Sequence, residues 1–94
     1  KQENASEMIF TVKRQDKSTG QYIGGATIGY YEENDRWNTS KRITVGESGR
    51  QIVLEIGKTY VFYEKTTSEG QNKAEKVTIT VTKDTPKDIV LIDN

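Results

Sequence analysis

The sequence predicts a single all-β domain, a β-sandwich of seven antiparallel strands. Short runs rich in Val, Ile, Thr, Tyr and Phe alternate with clusters of Gly, Asp, Asn and Ser, which is typical of strands joined by tight turns. No stretch keeps apolar residues at helical spacing over three turns, so long helices are not expected. The 94 residues suffice for one domain with one modest core.

The first two strands are separated by a reversal rich in turn residues. Alternating apolar residues predict a strand over Met8 to Arg14, and the segment Asp16 to Gly20 ends it because Asp, Ser and Gly favour turns. A second strand follows over Ala26 to Glu32. The polar segment Glu32 to Lys41 is then expected to be the longest loop of the domain.

Three further strands are bounded by glycines. The runs Arg42 to Val45 and Gln51 to Glu55 lie on either side of Gly46 to Gly49, which favours a tight turn between them. After Gly57, the β-branched and aromatic run Thr59 to Thr66 predicts the fifth strand.

The last two strands complete the sandwich. Ser68 to Gly70 marks the turn after the fifth strand, and alternation predicts strands over Lys76 to Thr82 and Asp88 to Asp93. Lys1 to Glu7 is polar and aperiodic, so we interpret it as a linker or a frayed end. The domain itself is therefore placed at residues 8–94.

Alternation also predicts the core, because every second residue of a strand lies on the same face of its sheet. The opposite faces carry mainly Thr, Lys and Glu and are expected to be solvated. The residues predicted to point inward are Phe10, Val12, Ala26, Ile28, Tyr30, Ile43, Val45, Ile52, Leu54, Tyr60, Phe62, Val77, Ile79, Val81, Ile89 and Leu91.

Three of these inward rows end in an ionisable residue. Arg14 continues the row of Phe10 and Val12, while Glu64 and Asp93 end the rows of the fifth and seventh strands. A buried charge is unfavourable unless it is paired, so we expect the guanidinium and the two carboxylates to meet in the interior. The alternative is that all three lie at strand ends in water, where ion pairs contribute little.

Composition excludes several functions. Lys and Arg number 14 and balance 14 Asp and Glu, so there is no basic excess to favour nucleic acid or a membrane surface. No apolar run is long enough to predict a membrane span. Cys and His are both absent, which removes disulfides, the commonest general base and the usual zinc ligands. We expect no enzyme, no catalytic residues and no cofactor.

Two local motifs can be read as sites, and both are better explained as loops. The acidic segment Glu32 to Asp35 lacks the regular spacing of a calcium loop, so no metal site is predicted. Ser48 lies between glycines but has no histidine to activate it, which indicates a turn.

Three segments of the chain resemble a known family. The run Arg14-Gln15-Asp16-Lys17-Ser18-Thr19-Gly20, followed by Ile23-Gly24-Gly25-Ala26-Thr27-Ile28, resembles the opening K-x-D-x-x-T-G-x-x-L-x-G-A-x-F of CnaB or SpaA-type domains. The stretch from Ser48 to Glu64 resembles their G-x-x-x-F and G-x-Y-x-x-x-E segments, and the end of the chain resembles their last strand. The resemblance implies a prealbumin-like, immunoglobulin-like sandwich from the surface adhesins and pilins of Gram-positive bacteria.

The resemblance also implies a site. Many members of that family link a first-strand Lys to a last-strand Asn or Asp by an isopeptide bond that a Glu assists, and the positions here are those of Arg14, Asp93 and Glu64. Arg14 departs from the pattern, because a guanidinium stays protonated and is a poor nucleophile. Its planar fork can instead hold both carboxylates, so we hypothesise a salt-bridge triad in place of the covalent bond.

A second register is also considered. A shift of both terminal strands by one residue would bring Lys13 and Asn94 beside Glu64 and restore a cross-linking pair. The same shift would expose Phe10 and Val12, so the hydrophobic pattern favours the first register.

Trp37 lies in the polar loop and is the remaining candidate site residue. It could contact a ligand such as a host protein or glycan, but a small domain needs aromatic area, so we favour its folding back over one end of the sandwich. From the residues taken with the resemblance, which implies the surface location and the neighbouring domains, we expect a monomeric stalk or spacer module of an extracellular, cell-wall-anchored protein, with neighbouring domains of the same polypeptide as its partners. Ligand binding through the Trp37 loop, or a cross-link through Lys13 and Asn94, are the alternatives.

Overall fold

The computed structural model contains two packed β-sheets and one short helix within the residues it describes, which are 6–67 and 70–93. In chain order these elements are β1 (Glu7–Gln15), β2 (Tyr22–Ile23), β3 (Ala26–Glu32), α1 (Arg36–Thr39), β4 (Lys41–Val45), β5 (Arg50–Glu55), β6 (Thr59–Thr66), β7 (Val77–Thr80) and β8 (Asp88–Ile92). The prediction of an all-β sandwich is confirmed, although the described residues form eight strands instead of seven. The additional strand, β2, has two residues and gives too short a pattern to be recognised by alternation.

The first sheet is built around β1. Along one edge β1 pairs antiparallel with β5 through its first half and with β2 through Arg14 and Gln15. Along its other edge it pairs with β8, and this pair is parallel, from Thr11 beside Asp88 to Gln15 beside Ile92. The parallel pair differs from the antiparallel pairing predicted for all strands, because the chain crosses from the other sheet before β8 and alternation carries no information on strand direction.

The second sheet has the order β4, β3, β6 and β7, and all its pairs are antiparallel. Its two central strands, β3 and β6, shift register between Thr27 and Ile28, which places Glu64 beside Ile28. This irregularity lies next to the inward-facing carboxylate of Glu64 and leaves Lys65 as an extra residue on the bulged strand.

The core lies between the sheets and follows the predicted alternation closely. Ile43, Val77 and Ile79 are only partly buried against its margin. Tyr31 and Val61 are buried on the outer face of the second sheet, a face that was expected to be solvated. The buried core residues are Phe10, Val12, Ile28, Tyr30, Val45, Ile52, Leu54, Tyr60, Phe62, Ala74, Val81, Ile89 and Leu91.

The first residues of the domain can be compared with the predicted boundary at residue 8. Residues 1–5 of the predicted linker lie outside the described residues. Glu7 pairs with Glu55, and the carbonyl of Ser6 accepts a hydrogen bond from Ile56 N–H at 2.7 Å. Regular strand pairing therefore begins one residue before that boundary.

Candidate functional site

The candidate site is an ion-pair cluster at the end of the sandwich where β1, β6 and β8 come together. Phe10, Val12 and Arg14 share the inner face of β1, so the apolar row that enters the core also carries the guanidinium inward. Arg14 is 0% exposed and is the largest of the fully buried side chains in the described part of the chain. A charge placed there must be satisfied by protein groups, since water does not reach it.

Glu64 is the principal partner of Arg14. The Nε of Arg14 donates to Oε2 of Glu64 at 2.8 Å, and Nη2 donates to Oε1 at 3.4 Å. This is the two-point geometry that suits a planar guanidinium and a carboxylate, and both side chains are 0% exposed. The pair joins β1 of one sheet to β6 of the other across the interior.

Asp93 contacts the same guanidinium less closely. Its Oδ1 lies 3.5 Å from Nη1 of Arg14 and accepts a hydrogen bond from the backbone N–H of Lys17 at 2.7 Å. Backbone hydrogen bonds, that of Lys17 first, lower the pKa of Asp93 below its ordinary value against the opposing effect of desolvation, and the charge of Arg14 adds a smaller lowering. Asp93 therefore ties the end of β8 both to Arg14 and to the turn after β1.

Backbone groups complete the cluster. The carbonyl of Gln15 accepts from Nη1 of Arg14 at 2.7 Å, and the carbonyl of Asn72 accepts from Nη2 at 2.6 Å. Oε1 of Glu64 in turn accepts from the N–H of Ala74 at 2.8 Å. Because Ala74 also forms a β-bridge with Asp93, the segment between β6 and β7 closes over the ion pairs.

These backbone partners were not predicted from the sequence. Backbone donors and acceptors are present at every residue and leave no pattern of residue types, so only the general requirement that a buried charge be satisfied pointed to them. The cluster holds its charges in ion pairs and hydrogen bonds, and it presents no nucleophile with an activating base. Within the described ranges, no three or more His, Cys, Asp or Glu side chains are grouped so as to hold a metal ion.

The alternative cross-linking pair, Lys13 and Asn94, is not brought to Glu64 by the described residues. Lys13 lies on the outer face of the first sheet, where its Nζ is 3.6 Å from Oδ2 of Asp88 and 4.8 Å from the centre of the Tyr22 ring. The β1 register places Phe10, Val12 and Arg14 inward, and Lys13 is turned away from Glu64. Asn94, its proposed cross-linking partner, lies outside the described residues.

Trp37 does not cover the core. It lies in α1, within the segment expected to be a loop, and 95% of its surface is exposed. The preference for a folded-back Trp37 is therefore wrong. The aromatic area that closes this part of the domain comes from Tyr31 and Tyr63, whose ring centres lie 6.1 Å apart, and the guanidinium of Arg36 covers Tyr31 at 4.9 Å.

The sequence profile of the SpaA family, described as a prealbumin-like fold domain, matches residues 8–94. The chain belongs to this family. The expected resemblance to SpaA-type domains is thereby confirmed, and the fold is that of a pilin or adhesin module. A comparison with curated proteins gives no match.

Solved structures similar to this domain include pilus proteins of Lactobacillus rhamnosus GG. The SpaA-type domain superposes on a C-terminal fragment of the pilus adhesin SpaC with a TM-score of 0.66 and 18% identity, covering 93% of this chain and 44% of that one. It superposes on the C-terminal domain of the shaft pilin spaA with a TM-score of 0.61 and 14% identity, covering 96% of this chain and 100% of that one. In a structure of the SpaC adhesin in its open conformation, the match covers 14% of the other chain. The domain thus spans less than half the length of the SpaC structures it matches.

No helix among residues 6–67 and 70–93 is long and apolar enough to cross a membrane.

We expect the substitution Arg14→Met to lower the free energy of unfolding by about 3 to 5 kcal/mol, because it leaves the buried carboxylate of Glu64 without its cation. The double substitution Arg14→Met with Glu64→Met should recover part of that loss, since both charges are then removed. Urea unfolding followed by circular dichroism measures each value. The matched control is Lys13→Met on the outer face of the same strand, whose partly exposed ion pair should contribute less than about 1 kcal/mol. Equal effects at positions 13 and 14 would contradict a buried, energetically coupled cluster.

Stability should also fall in acid through Asp93. Its pKa is lowered in the folded state, so the stabilisation it provides is complete above its ordinary pKa of 3.8 and is lost as the pH falls through the lower, folded value. We therefore expect Asp93→Asn to reduce the decline of the urea midpoint between about pH 5 and about pH 2. Asp84→Asn, at an exposed turn residue with no ion pair in the described part of the chain, is the control and should leave that decline unchanged. An identical acid decline in the Asp93 variant and the unsubstituted domain would refute the assignment.

Proposed function

We propose that this domain is a structural spacer of a cell-wall-anchored surface protein of a Gram-positive bacterium, with its terminal strands tied by the Arg14, Glu64 and Asp93 cluster instead of an isopeptide bond. The observation that carries the proposal is the complete burial of Arg14 between two carboxylates that lie on the other sheet and on the last strand. Family membership supports the surface location, and the match to only part of the SpaC structures supports neighbouring domains in one polypeptide. The proposed module is monomeric and not an enzyme.

The chemistry of the cluster supports a non-covalent tie. An isopeptide bond requires an amine that can lose its proton and attack a carboxyl or amide carbon, and a buried Lys can do so because burial disfavours its charged form. Arg14 cannot take that part, since its guanidinium stays protonated and its charge is dispersed over three nitrogens. Its hydrogen bonds are instead directed at Glu64 and at two backbone carbonyls.

The strand arrangement supports a mechanical role. β1 and β8 are parallel neighbours, so a pull on the first strand towards its start and on the last strand towards its end would slide one past the other. The hydrogen bonds between them would then be loaded together instead of one after another. Arg14 and Asp93 lie at the far end of this pair and would resist the same sliding motion.

The intact mass of the domain tests the proposal directly. We expect the mass to equal that of the sequence, because no bond forms between Arg14 and Asp93. A deficit of one ammonia or one water would contradict it, and a deficit of one ammonia would favour the alternative link between Lys13 and Asn94. The substitution Arg14→Lys provides a positive arm, since a lysine amine would reach approximately the position of the guanidinium carbon. Attack of that amine on the Asp93 carboxyl would form an amide and release one water, and Arg14→Lys with Asp93→Ala should show no deficit.

A second candidate function is ligand binding through Trp37. The observation that favours it is the 95% exposure of an indole ring on the surface of a small domain. Screening the unsubstituted domain and Trp37→Ala against panels of host matrix proteins and glycans tests it. We expect lost binding with unchanged urea unfolding, and binding by both proteins alike would exclude Trp37 as the contact.

A further inference from the structure

The outer face of the second sheet carries an uneven distribution of charge. In a chain with 14 cationic and 14 acidic residues, the outward positions of β4, β3, β6 and β7 include no Asp or Glu. Alternation places Arg42 and Thr44 of β4, and Tyr63 and Lys65 of β6, on this face. Exposed charge is normally mixed in sign over a surface, so a face with one sign favours ligands of the opposite sign.

A depression of about 560 Å³ lies on this face. Its lining residues are Arg36, Ser40, Lys41, Arg42, Tyr63 and Lys65. Four of these six carry a positive charge. None of the four forms an ion pair with a carboxylate of residues 6–67 or 70–93, whereas Lys58 elsewhere on the domain is paired with both Glu32 and Glu55. The depression is thus lined by four cations that form no ion pair among the described residues.

The floor of the depression is fixed by close packing. Gly29 lies beside both Arg42 and Tyr63 in the sheet register, and the Tyr63 ring crosses directly over it. A Cβ atom built on Gly29 would lie 2.4 Å from Cζ of Tyr63, so only glycine allows the ring this position. The ring also packs against Tyr31, which Arg36 covers from above. The cations therefore surround a rigid aromatic floor.

A second depression adjoins the first and contains Trp37. It has a volume of about 430 Å³ and is lined by Arg36, Trp37 and Ser40, two of which also line the cationic depression. The exposed indole and the four cations consequently form one continuous surface. An indole ring presents a flat apolar face with a polar edge, which suits a ligand that is itself part apolar and part polar.

We propose that this surface, which comprises Arg36, Trp37, Ser40, Lys41, Arg42, Tyr63 and Lys65, binds an anionic polysaccharide with sulfate or carboxylate groups. Guanidinium groups bind such oxyanions by charge-assisted hydrogen bonds, and the Trp37 ring offers a platform for the flat face of a sugar. The Tyr63 hydroxyl has no hydrogen-bond partner within the described ranges and can form a hydrogen bond with a sugar hydroxyl. The proposal builds on the binding role of Trp37 and is independent of the spacer role.

Two other classes of anion fit less well. An acidic peptide that docks by strand addition bonds to the backbone groups of an edge strand, whereas the cationic depression is lined by side chains on the sheet face. A nucleic acid needs cations that follow its backbone over several phosphates, whereas these four cations are grouped around one depression. The polysaccharide is therefore the ligand that the lining favours.

Tryptophan fluorescence gives a direct test, because Trp37 is the single tryptophan of the chain. Titration with heparin or dextran sulfate should change its emission and saturate, and uncharged dextran should leave it unaltered. Added salt should weaken the binding because exposed charges are screened. Equal affinity for poly-glutamate or for single-stranded DNA would overturn the proposal, since the site would then select charge alone.

Matched charge variants locate the site. We expect Arg42→Gln with Lys65→Gln to weaken heparin binding about tenfold or more. The control, Lys83→Gln with Lys87→Gln, makes the same change in net charge at exposed residues between β7 and β8 and should weaken it less than about twofold. Urea unfolding of both variants verifies that they fold. Equal losses in the two variants would show a general charge effect and refute the site.

A comparison of the Trp37 variant with the cation variant separates this proposal from a binding role of Trp37 alone. Calorimetry with Trp37→Ala should show weaker heparin binding in the same range as the cation variant. If a glycan from the screen requires Trp37 but is bound equally by the Arg42 and Lys65 variant, the anionic site is refuted and the role of Trp37 remains. The intact-mass test of the spacer function does not depend on either result.

Discussion

The arrangement of the two ends of this domain depends on one buried guanidinium. Arg14 has no access to water, and its hydrogen-bonding groups are directed at Glu64 of β6, at the carbonyl of its neighbour Gln15 and at the segment before β7. Its contact with Asp93 adds the last strand. Three other parts of the chain must therefore be in place before the charge is satisfied, and any arrangement that omits one of them leaves a charged or polar group buried without a partner.

This requirement fixes register more firmly than packing alone. A one-residue slip of β1 would turn Phe10 and Val12 to the outer face and would also remove Arg14 from Glu64. Apolar residues tolerate some repacking, because any hydrophobic neighbour of suitable size can replace another. The Arg14 and Glu64 pair cannot be rearranged in this way, since a guanidinium and a carboxylate each need a partner of opposite charge in the correct orientation.

The sequence predicted the fold and the inward path of the three charges because both follow from alternation, which is a local property of each strand. The sequence did not predict strand directions or backbone contacts, because these depend on the path of the chain between strands. The parallel direction of β8 is an example, and the carbonyl of Asn72 that accepts from Arg14 is another. Tyr31 is buried on an outer face for the same reason, since Arg36 of α1 and the Tyr63 ring come to lie against it only in the folded domain. Trp37 was misjudged because the need for aromatic area was met by these tyrosines.

The difference between a salt bridge and a covalent bond has a mechanical consequence for the proposed spacer. An isopeptide bond between the terminal strands transmits a pull directly from one to the other, and the rest of the domain is not loaded. A cluster of ion pairs and hydrogen bonds carries the same pull only until the weakest contact opens, which here is the 3.5 Å contact between Arg14 and Asp93. Once opened, it can form again without any chemistry, because only ion pairs and hydrogen bonds have been broken and no covalent bond has to be remade. In a row of covalently tied domains, one with this cluster would extend first and recover afterwards, and it would limit the force on its neighbours.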